Sequence, residues 1–123
     1  MAYSAELPLV AVICSVPLVF EGLRDALSSI ARVQFFPAAT GTTGLLRWVK
    51  PDAVVVDSED EAEYATAFAR ELDLPLVLIS VRDAEVRFFT RGVWLKATNG
   101  DEGATPQTVR NIIAGSLYGR RHA

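Results

Sequence analysis

The sequence predicts an α/β domain in which a five-stranded parallel sheet is covered by helices on both faces. Its apolar runs, such as LVAVI at residues 9–13, are continuous rather than alternating, which is typical of strands buried on both sides. Between these runs, apolar residues recur at helical spacing, so strands and helices alternate along the chain. With 123 residues, half of them apolar, the chain can build one core, and we expect a single domain over residues 1–123.

Five short runs bounded by polar or turn-forming residues predict the strands. They are Leu9–Ile13, Val33–Phe36, Pro51–Asp57, Leu74–Ser80 and Val93–Leu95. The carboxyl ends of parallel strands meet at one edge of a sheet, and ligand sites of such folds lie beyond that edge. We therefore expect the functional residues to follow the strands directly.

Four segments have the periodicity of helices. The first begins at Pro17, whose missing N–H would be unpaired there anyway, and the last begins at Thr105-Pro106 for the same reason. The second is short and begins at Thr42 or Thr43 after a turn. The third covers Glu61–Leu72. Residues expected to face inward are Leu23 and Leu27, then Leu45, Leu46 and Val49, then Tyr64, Ala65, Phe68 and Leu72, and finally Val109, Ile112, Ile113 and Leu117.

The interval between the last two predicted strands is the weakest part of this pattern. The stretch RDAEVRFFTRG, residues 82–92, is too short for a full helix with its loops, and Gly92 ends it. We therefore expect the fourth helix of a regular alternating fold to be shortened or absent here.

Composition restricts the classes of function. Two lysines, ten arginines and a net charge of −3 leave no basic face large enough for direct nucleic-acid binding. The single cysteine, Cys14, excludes an internal disulfide and a cysteine-built zinc site, and it fits the reducing cytoplasm. The N-terminal apolar run is interrupted by Pro8 and Pro17, and no window approaches the roughly 20 apolar residues that cross a bilayer. We expect a soluble, cytoplasmic protein that does not bind membranes.

The residues that follow the predicted strands include groups able to bind a phosphoryl group. They are Cys14 and Ser15, Asp57, Ser80, and Lys96. An aspartate at such an edge can act as a nucleophile, a lysine can pair with a phosphoryl oxygen, and a serine can donate a hydrogen bond to another.

This arrangement resembles the receiver domain of bacterial response regulators over nearly the whole chain. VPLVFEGLRDAL is similar to the first-helix segment of regulators that carry a LuxR-type helix-turn-helix, and PDAVVVD resembles the strand that ends in the phospho-accepting aspartate. PLVLIS and GVWLK resemble the strands that end in the switch hydroxyl and in the lysine. The resemblance implies a flavodoxin-like fold in two-component signal transduction and transcription regulation, with Asp57 as acceptor of the phosphorelay, Ser80 as switch hydroxyl and Lys96 as phosphate partner.

The departures from the receiver pattern concern its metal site and its switch. Receivers hold Mg²⁺ with two acidic residues after the first strand, and here these degenerate metal positions are Cys14 and Ser15. The position of the aromatic switch residue is Val93, and the Met-Pro that usually follows the acceptor is replaced by residues 58–60, Ser-Glu-Asp. We expect weak or absent Mg²⁺ binding and no other cofactor, and we expect Lys96 to form an ion pair with Asp57.

The function expected from these observations is an atypical, receiver-like signalling domain, a pseudo-receiver, that acts through protein contacts without Mg²⁺-dependent phosphorylation. The expected partners are a second copy, as a homodimer, and an attached or separate DNA-binding output module. Two alternatives stay open: a receiver phosphorylated at Asp57, and a small-molecule sensor that uses the vacated metal site near Cys14. We do not expect an enzyme, because the one histidine, His122, lies in a tail from about residue 119 that could begin a linker.

Overall fold

The computed structural model describes residues 7–37, 42–80, 85–90, 92–96 and 105–120. The strands are β1 (Leu9–Cys14), β2 (Arg32–Pro37), β3 (Ala53–Val56), β4 (Leu76–Ser80), β5 (Glu85–Thr90) and β6 (Val93–Lys96). The helices are α1 (Pro17–Leu27), α2 (Thr42–Val49), α3 (Glu59–Leu72) and α4 (Pro106–Arg120). The chain is therefore α/β, as predicted.

A single mixed sheet contains these strands in the order β2-β1-β3-β4-β5-β6. The first four strands are parallel to one another, β5 is antiparallel to β4, and β6 is antiparallel to β5. Since two reversals restore the original direction, β6 runs the same way as β4 but lies two positions away from it.

Two helices cover each face of the sheet. On one face, the buried residues of α1 and α4, among them Leu23, Leu27 and Ile113, pack on alternate residues of the central strands. On the other, Leu46 of α2 and Phe68 of α3 pack on the intervening residues. Strands β1, β3 and β4 are covered on both sides, and their continuous apolar runs reflect this double burial.

Helices α1 and α4 approach closely at Gly22. A Cβ built on Gly22 would lie 3.1 Å from Cγ of Pro106, so a larger residue would require Pro106 to shift by a few tenths of an ångström. The Tyr118 hydroxyl, on the last turns of α4, donates a 2.6 Å hydrogen bond to the carbonyl of Ile30. The last helix is thus joined to the first α/β unit, and it also packs on β5.

Two features of the fold differ from the prediction. The sheet has six strands and is mixed, where five parallel strands were expected. Between residues 82 and 92, where a shortened or absent fourth helix was expected, residues 85–90 form strand β5. Valine and paired phenylalanines in EVRFFT favour an extended chain, and Gly92, with a φ of 81°, allows the sharp return into β6.

The prediction of which helix residues face inward is confirmed in part. Leu46, Ala65 and Phe68 are buried as predicted, whereas Leu45 is 50% and Tyr64 is 68% exposed. Leu72, also predicted to face inward, is 48% exposed. The buried stripe of α3 consists of three alanines and a phenylalanine, so α3 packs close to the sheet, while Tyr64 and Leu72 lie beside this stripe.

Some of the predicted features fall outside the described residues. Residues 1–6, the tail after Arg120 with His122, and most of the predicted turn before α2 belong to this group. Helix α4 extends to Arg120, slightly past the predicted start of the tail. In the described part of the chain, no helix has the length and apolar character required to cross a bilayer.

Candidate functional site

Asp57 follows β3 directly and binds the loop between β1 and α1. The backbone N–H of Ser15 donates to both carboxylate oxygens, at 3.0 Å to Oδ1 and 2.9 Å to Oδ2. The N–H of Val16 donates to Oδ2 at 3.2 Å, and the Ser15 hydroxyl lies 3.3 and 3.2 Å from the two oxygens. Both oxygens of this carboxylate therefore accept hydrogen bonds from the chain itself.

The start of α1 explains why a carboxylate is useful at this position. Val16 is the N-cap residue and has no side-chain oxygen to cap the helix, and Pro17 occupies the first turn. The N-terminus of a helix carries a partial positive charge and backbone N–H groups that need acceptors. Asp57 supplies both an acceptor and a negative charge from the neighbouring strand, so it has a structural role that needs no metal.

Cys14 lies beside this carboxylate and is buried, with 2% of its surface exposed. Burial raises the pKa of the Cys14 thiol from 9.0 to about 12, and the negative charge of Asp57 contributes in the same direction. The thiol therefore keeps its proton at neutral pH, and a protonated thiol is a poor nucleophile and a poor metal ligand. Among the described residues, no group of three or more His, Cys, Asp or Glu side chains is arranged to hold a metal ion.

Ser80 ends β4, on the strand next to Asp57. Val56 pairs with Leu78, so Ser80 lies one residue beyond the level of Asp57 along the sheet. On its other side, Ser80 pairs with Glu85 of β5. The structure thus brings Ser15, Asp57 and Ser80 to one edge, as the strand pattern predicted.

The strand order separates Lys96 from Asp57. Strands β4 and β5 lie between β3 and β6, so Lys96 and Asp57 are three strand spacings apart, or about 14 Å laterally. That separation exceeds the length of a lysine side chain, and the expected ion pair between Lys96 and Asp57 is not formed. Lys96 is exposed at one end of β6, and Val93, at the other end, is 55% exposed.

Arg87 lies on β5, the strand next to β4, and it was not predicted as a site residue. It pairs with Leu78 in the register, and its guanidinium forms an ion pair with Glu59 at the start of α3. Glu85 lies 3.7 Å from its Nε, and the Trp94 ring centroid lies 6.0 Å from its Cζ. Two carboxylates therefore offset its charge, and Arg87 connects β5 to α3 rather than offering a site for a phosphoryl group.

The pattern EVRFFT contained a signal for this arrangement. Alternate residues of a strand face the same side of a sheet, so Glu85, Arg87 and Phe89 share one face once the segment is read as a strand. Arg87 also has a buried Nε without a hydrogen-bond partner, which sets it apart from a solvated surface arginine. Reading the interval as a remnant of a helix hid this pairing.

No family model, curated protein or solved structure matches this chain. The chemical character of the site therefore rests on its own geometry. That geometry is a carboxylate bound by neutral N–H and O–H donors, beside a protonated thiol. Of the described cations, Arg87 is paired with Glu59 and Lys96 lies three strands away.

Proposed function

We propose that this chain is an atypical receiver-like signalling domain, which acts through protein–protein contacts and does not depend on Mg²⁺-dependent phosphorylation of an aspartate. Its partners are a second copy of the chain and a transcriptional output module that binds DNA, attached or separate. The acidic composition, with a net charge of −3, leaves contact with DNA to that module.

The strand order supports the receiver-like part of the proposal. Its first four strands follow the order β2-β1-β3-β4, which matches the start of the flavodoxin-like order 2-1-3-4-5. Asp57 follows the strand at which a receiver places its acceptor. The departure comes after β4, where an antiparallel strand stands between β4 and the strand that ends in Lys96.

The hydrogen bonding of Asp57 is the observation that supports a function without phosphorylation. Phosphoryl transfer to a carboxylate requires an oxygen available for attack and a cation that neutralises the incoming charge. Hydrogen bonds lower the nucleophilicity of a carboxylate oxygen, and both oxygens of Asp57 accept them from Ser15, while Oδ2 accepts another from Val16. The neighbouring positions offer a neutral thiol and a hydroxyl instead of the two carboxylates that bind Mg²⁺.

The exposed outer strand supports the part of the proposal that concerns protein contacts. Val93 and Leu95 leave 55% and 49% of their surfaces exposed, and both lie on the last strand of the sheet. Exposed apolar residues on an open strand are typical of interaction surfaces. A domain that has lost phosphorylation chemistry can keep its function through such a surface.

The experiment that tests the proposal is a titration of Mg²⁺ with beryllofluoride, a mimic of the aspartyl phosphate, followed by amide NMR. We expect no saturable shifts at Ser15, Val16, Asp57 or Ser80. Large saturable shifts at these residues would overturn the proposal and favour a receiver that is phosphorylated at Asp57.

A variant that carries Cys14→Asp and Ser15→Asp provides the matched control. It places two carboxylates next to Asp57, and three carboxylates form an oxygen-rich site of the kind that Mg²⁺ prefers. We expect Mg²⁺-dependent shifts to appear in this variant, provided that circular dichroism confirms its fold. A response in the variant without a response in the natural chain assigns the lost chemistry to residues 14 and 15.

A further inference from the structure

The two residues that lead into α1 are held by a side chain from another strand. Ser15 and Val16 both donate their backbone N–H groups to the carboxylate of Asp57, and the Ser15 hydroxyl lies 3.3 and 3.2 Å from its two oxygens. Val16 is the N-cap residue of α1, and its own side chain forms no capping hydrogen bond. The path of the chain into α1 therefore depends on a carboxylate 41 residues further along the sequence.

Helices α3 and α4 begin differently from α1. The hydroxyl of Ser58 accepts a hydrogen bond from the N–H of Glu61 at 3.2 Å and caps α3. The hydroxyl of Thr105 accepts one from the N–H of Thr108, also at 3.2 Å, at the start of α4. Each of these two helices is capped by the residue directly before it, so a change at Asp57 leaves both caps in place. Of α1, α3 and α4, it is α1 whose start relies on a distant strand.

The start of α1 lies against the start of α4. A Cβ built on Gly22 would lie 3.1 Å from Cγ of Pro106, the first residue of α4. Leu23 of α1 belongs to the same buried cluster as Val109 and Ile113 of α4. Because protein interiors are close-packed, a displacement of this part of α1 must be taken up by the first turns of α4.

A short helical path joins the two contacts. Val16 and Gly22 are six residues apart, which is about 9 Å along a helix. Between them, Phe20 packs on Phe35 of β2, with ring centroids 4.8 Å apart, and the guanidinium of Arg24 lies over its ring. Helix formation is cooperative, so a helix that is released at its first residue loses its first turn before the later ones. Loss of the hydrogen bonds at Val16 therefore acts on the turn that precedes Gly22.

We propose that the charged carboxylate of Asp57 controls the packing of α1 on α4. While Ser15 and Val16 donate to it, the starts of the two helices stay in contact, and a change that removes its charge loosens both. The inference rests on the proposed function, because it gives Asp57 a regulatory role that needs no phosphoryl group. Helix α3, which is capped by Ser58, stays unchanged.

The first test is amide hydrogen exchange, followed by NMR, on the variant Asp57→Asn. Asparagine keeps the shape of the side chain and removes its negative charge from the N-terminus of α1. We expect the amides of Leu23 in α1 and Val109 in α4 to exchange at least about fivefold faster, the factor that the loss of a helix cap typically brings. The amide of Ala65 in α3 should change less than twofold.

Asp52→Asn is the matched control for this test. The Asp52 carboxylate also accepts a backbone N–H of β1, at 2.8 Å, but at the end of β1 opposite to α1. This variant should not accelerate exchange in α1 and α4 more than in α3. Far-UV circular dichroism under the exchange conditions shows that each variant is folded.

A second test restores the start of α1 without restoring the carboxylate. Val16→Ser, added to Asp57→Asn, gives α1 a serine at its N-cap, one of the residues preferred there. We expect exchange to slow again at Leu23, and at Val109 with it. Val93→Ser in the same background is the control, because Val93 is 55% exposed against 41% for Val16 but lies on β6. It should restore neither amide.

The outcomes separate the inference from the proposed function. Faster exchange that is confined to α1, or that is equal in α1, α3 and α4, overturns the control of α4 by Asp57. Recovery of Leu23 without Val109 in the double variant overturns it as well. The beryllofluoride titration uses the natural chain and reads whether a phosphoryl site exists, so its result decides the proposed function whichever way the exchange tests end.

Discussion

At the end of β3, Asp57 has both carboxylate oxygens bound by the chain's own loop, whereas on β6 Val93 and Leu95 leave about half of their side chains exposed. The first region belongs to the parallel part of the sheet, and the second to the antiparallel hairpin of β5 and β6. The difference is that the carboxylate is bound within the chain, while the hairpin leaves apolar side chains exposed at one edge of the sheet.

The largest loss of stability is expected from a substitution at the base of the hairpin. Phe89 is 2% exposed and contacts both Trp94 and the guanidinium of Arg70. Phe89→Ala should lower the free energy of unfolding by about 3 to 5 kcal/mol, because it leaves a cavity under the hairpin. Phe35→Ala, at a residue 39% exposed, is the control and should cost much less. Equal costs in urea unfolding would contradict a hairpin anchored by Phe89.

The next largest loss is expected from Asp57→Ala, which tests whether Asp57 stabilises the fold. Asp57→Ala removes the acceptor for two backbone N–H groups and one hydroxyl, and should lower the free energy of unfolding by about 2 to 3 kcal/mol. Asp52→Ala is the matched control, because Asp52 accepts one hydrogen bond, from the N–H of Leu9 at 2.8 Å, and should cost about 1 kcal/mol. A gain in stability from Asp57→Ala in urea unfolding would indicate a strained functional carboxylate instead.

A smaller, pH-dependent effect is expected from Cys14. The pKa of its thiol is raised to about 12 in the folded chain, against an ordinary value of 9.0, so the unfolded chain loses this proton first as the pH rises. The contribution is fully present below pH 9, and between pH 9 and pH 12 the free energy of unfolding should fall by up to about 1.4 kcal/mol per pH unit. Urea unfolding of the natural chain and of Cys14→Ala at pH 8 to 10.5 measures this slope. Parallel pH curves would contradict the burial of the thiol.

The smallest effect concerns Arg87, which connects the hairpin to the start of α3. Its partner Glu59 is 75% exposed, so water screens the ion pair. Arg87→Met also removes a buried Nε that has no hydrogen bond. We expect Arg87→Met to change the free energy of unfolding by less than about 1 kcal/mol, and Glu59→Gln to do the same. A loss above 2 kcal/mol in urea unfolding would mean that the two regions depend on each other through this arginine.

The parallel part of the fold could be predicted from the sequence because its signals are strong. Continuous apolar runs such as residues 9–13 and 53–56 are covered on both faces, and the rule that parallel strands share a carboxyl edge placed Asp57 near Ser15. The sequence did not indicate that the β1–α1 loop would bind both oxygens of Asp57, since this depends on the backbone path around Val16 and Pro17.

The hairpin could not be predicted with the same rules. In EVRFFT, apolar residues stand at both alternate and adjacent positions, so neither the period of a strand nor that of a helix dominates. Strand β5 lies between β4 and β6, so Lys96 is three strand spacings from Asp57, and nothing in the local sequence GVWLK indicates this distance. The exposure of Tyr64 and Leu72 has a related cause, because residues at the flank of a helical stripe turn outward with small rotations of the helix.

The sheet is wider than the pair of helices that lies on each of its faces. Six strands at about 4.8 Å each span about 29 Å, while two helices lying side by side cover about 20 Å, or roughly four strands. The described part of the chain has two helices on each face, which leave a margin of about one strand on either side, and β2 and β6 are the strands with mostly exposed residues. Side chains of the two outer strands cannot cover such a margin by themselves. Covering it takes a further segment of chain beside the described helices, or another molecule.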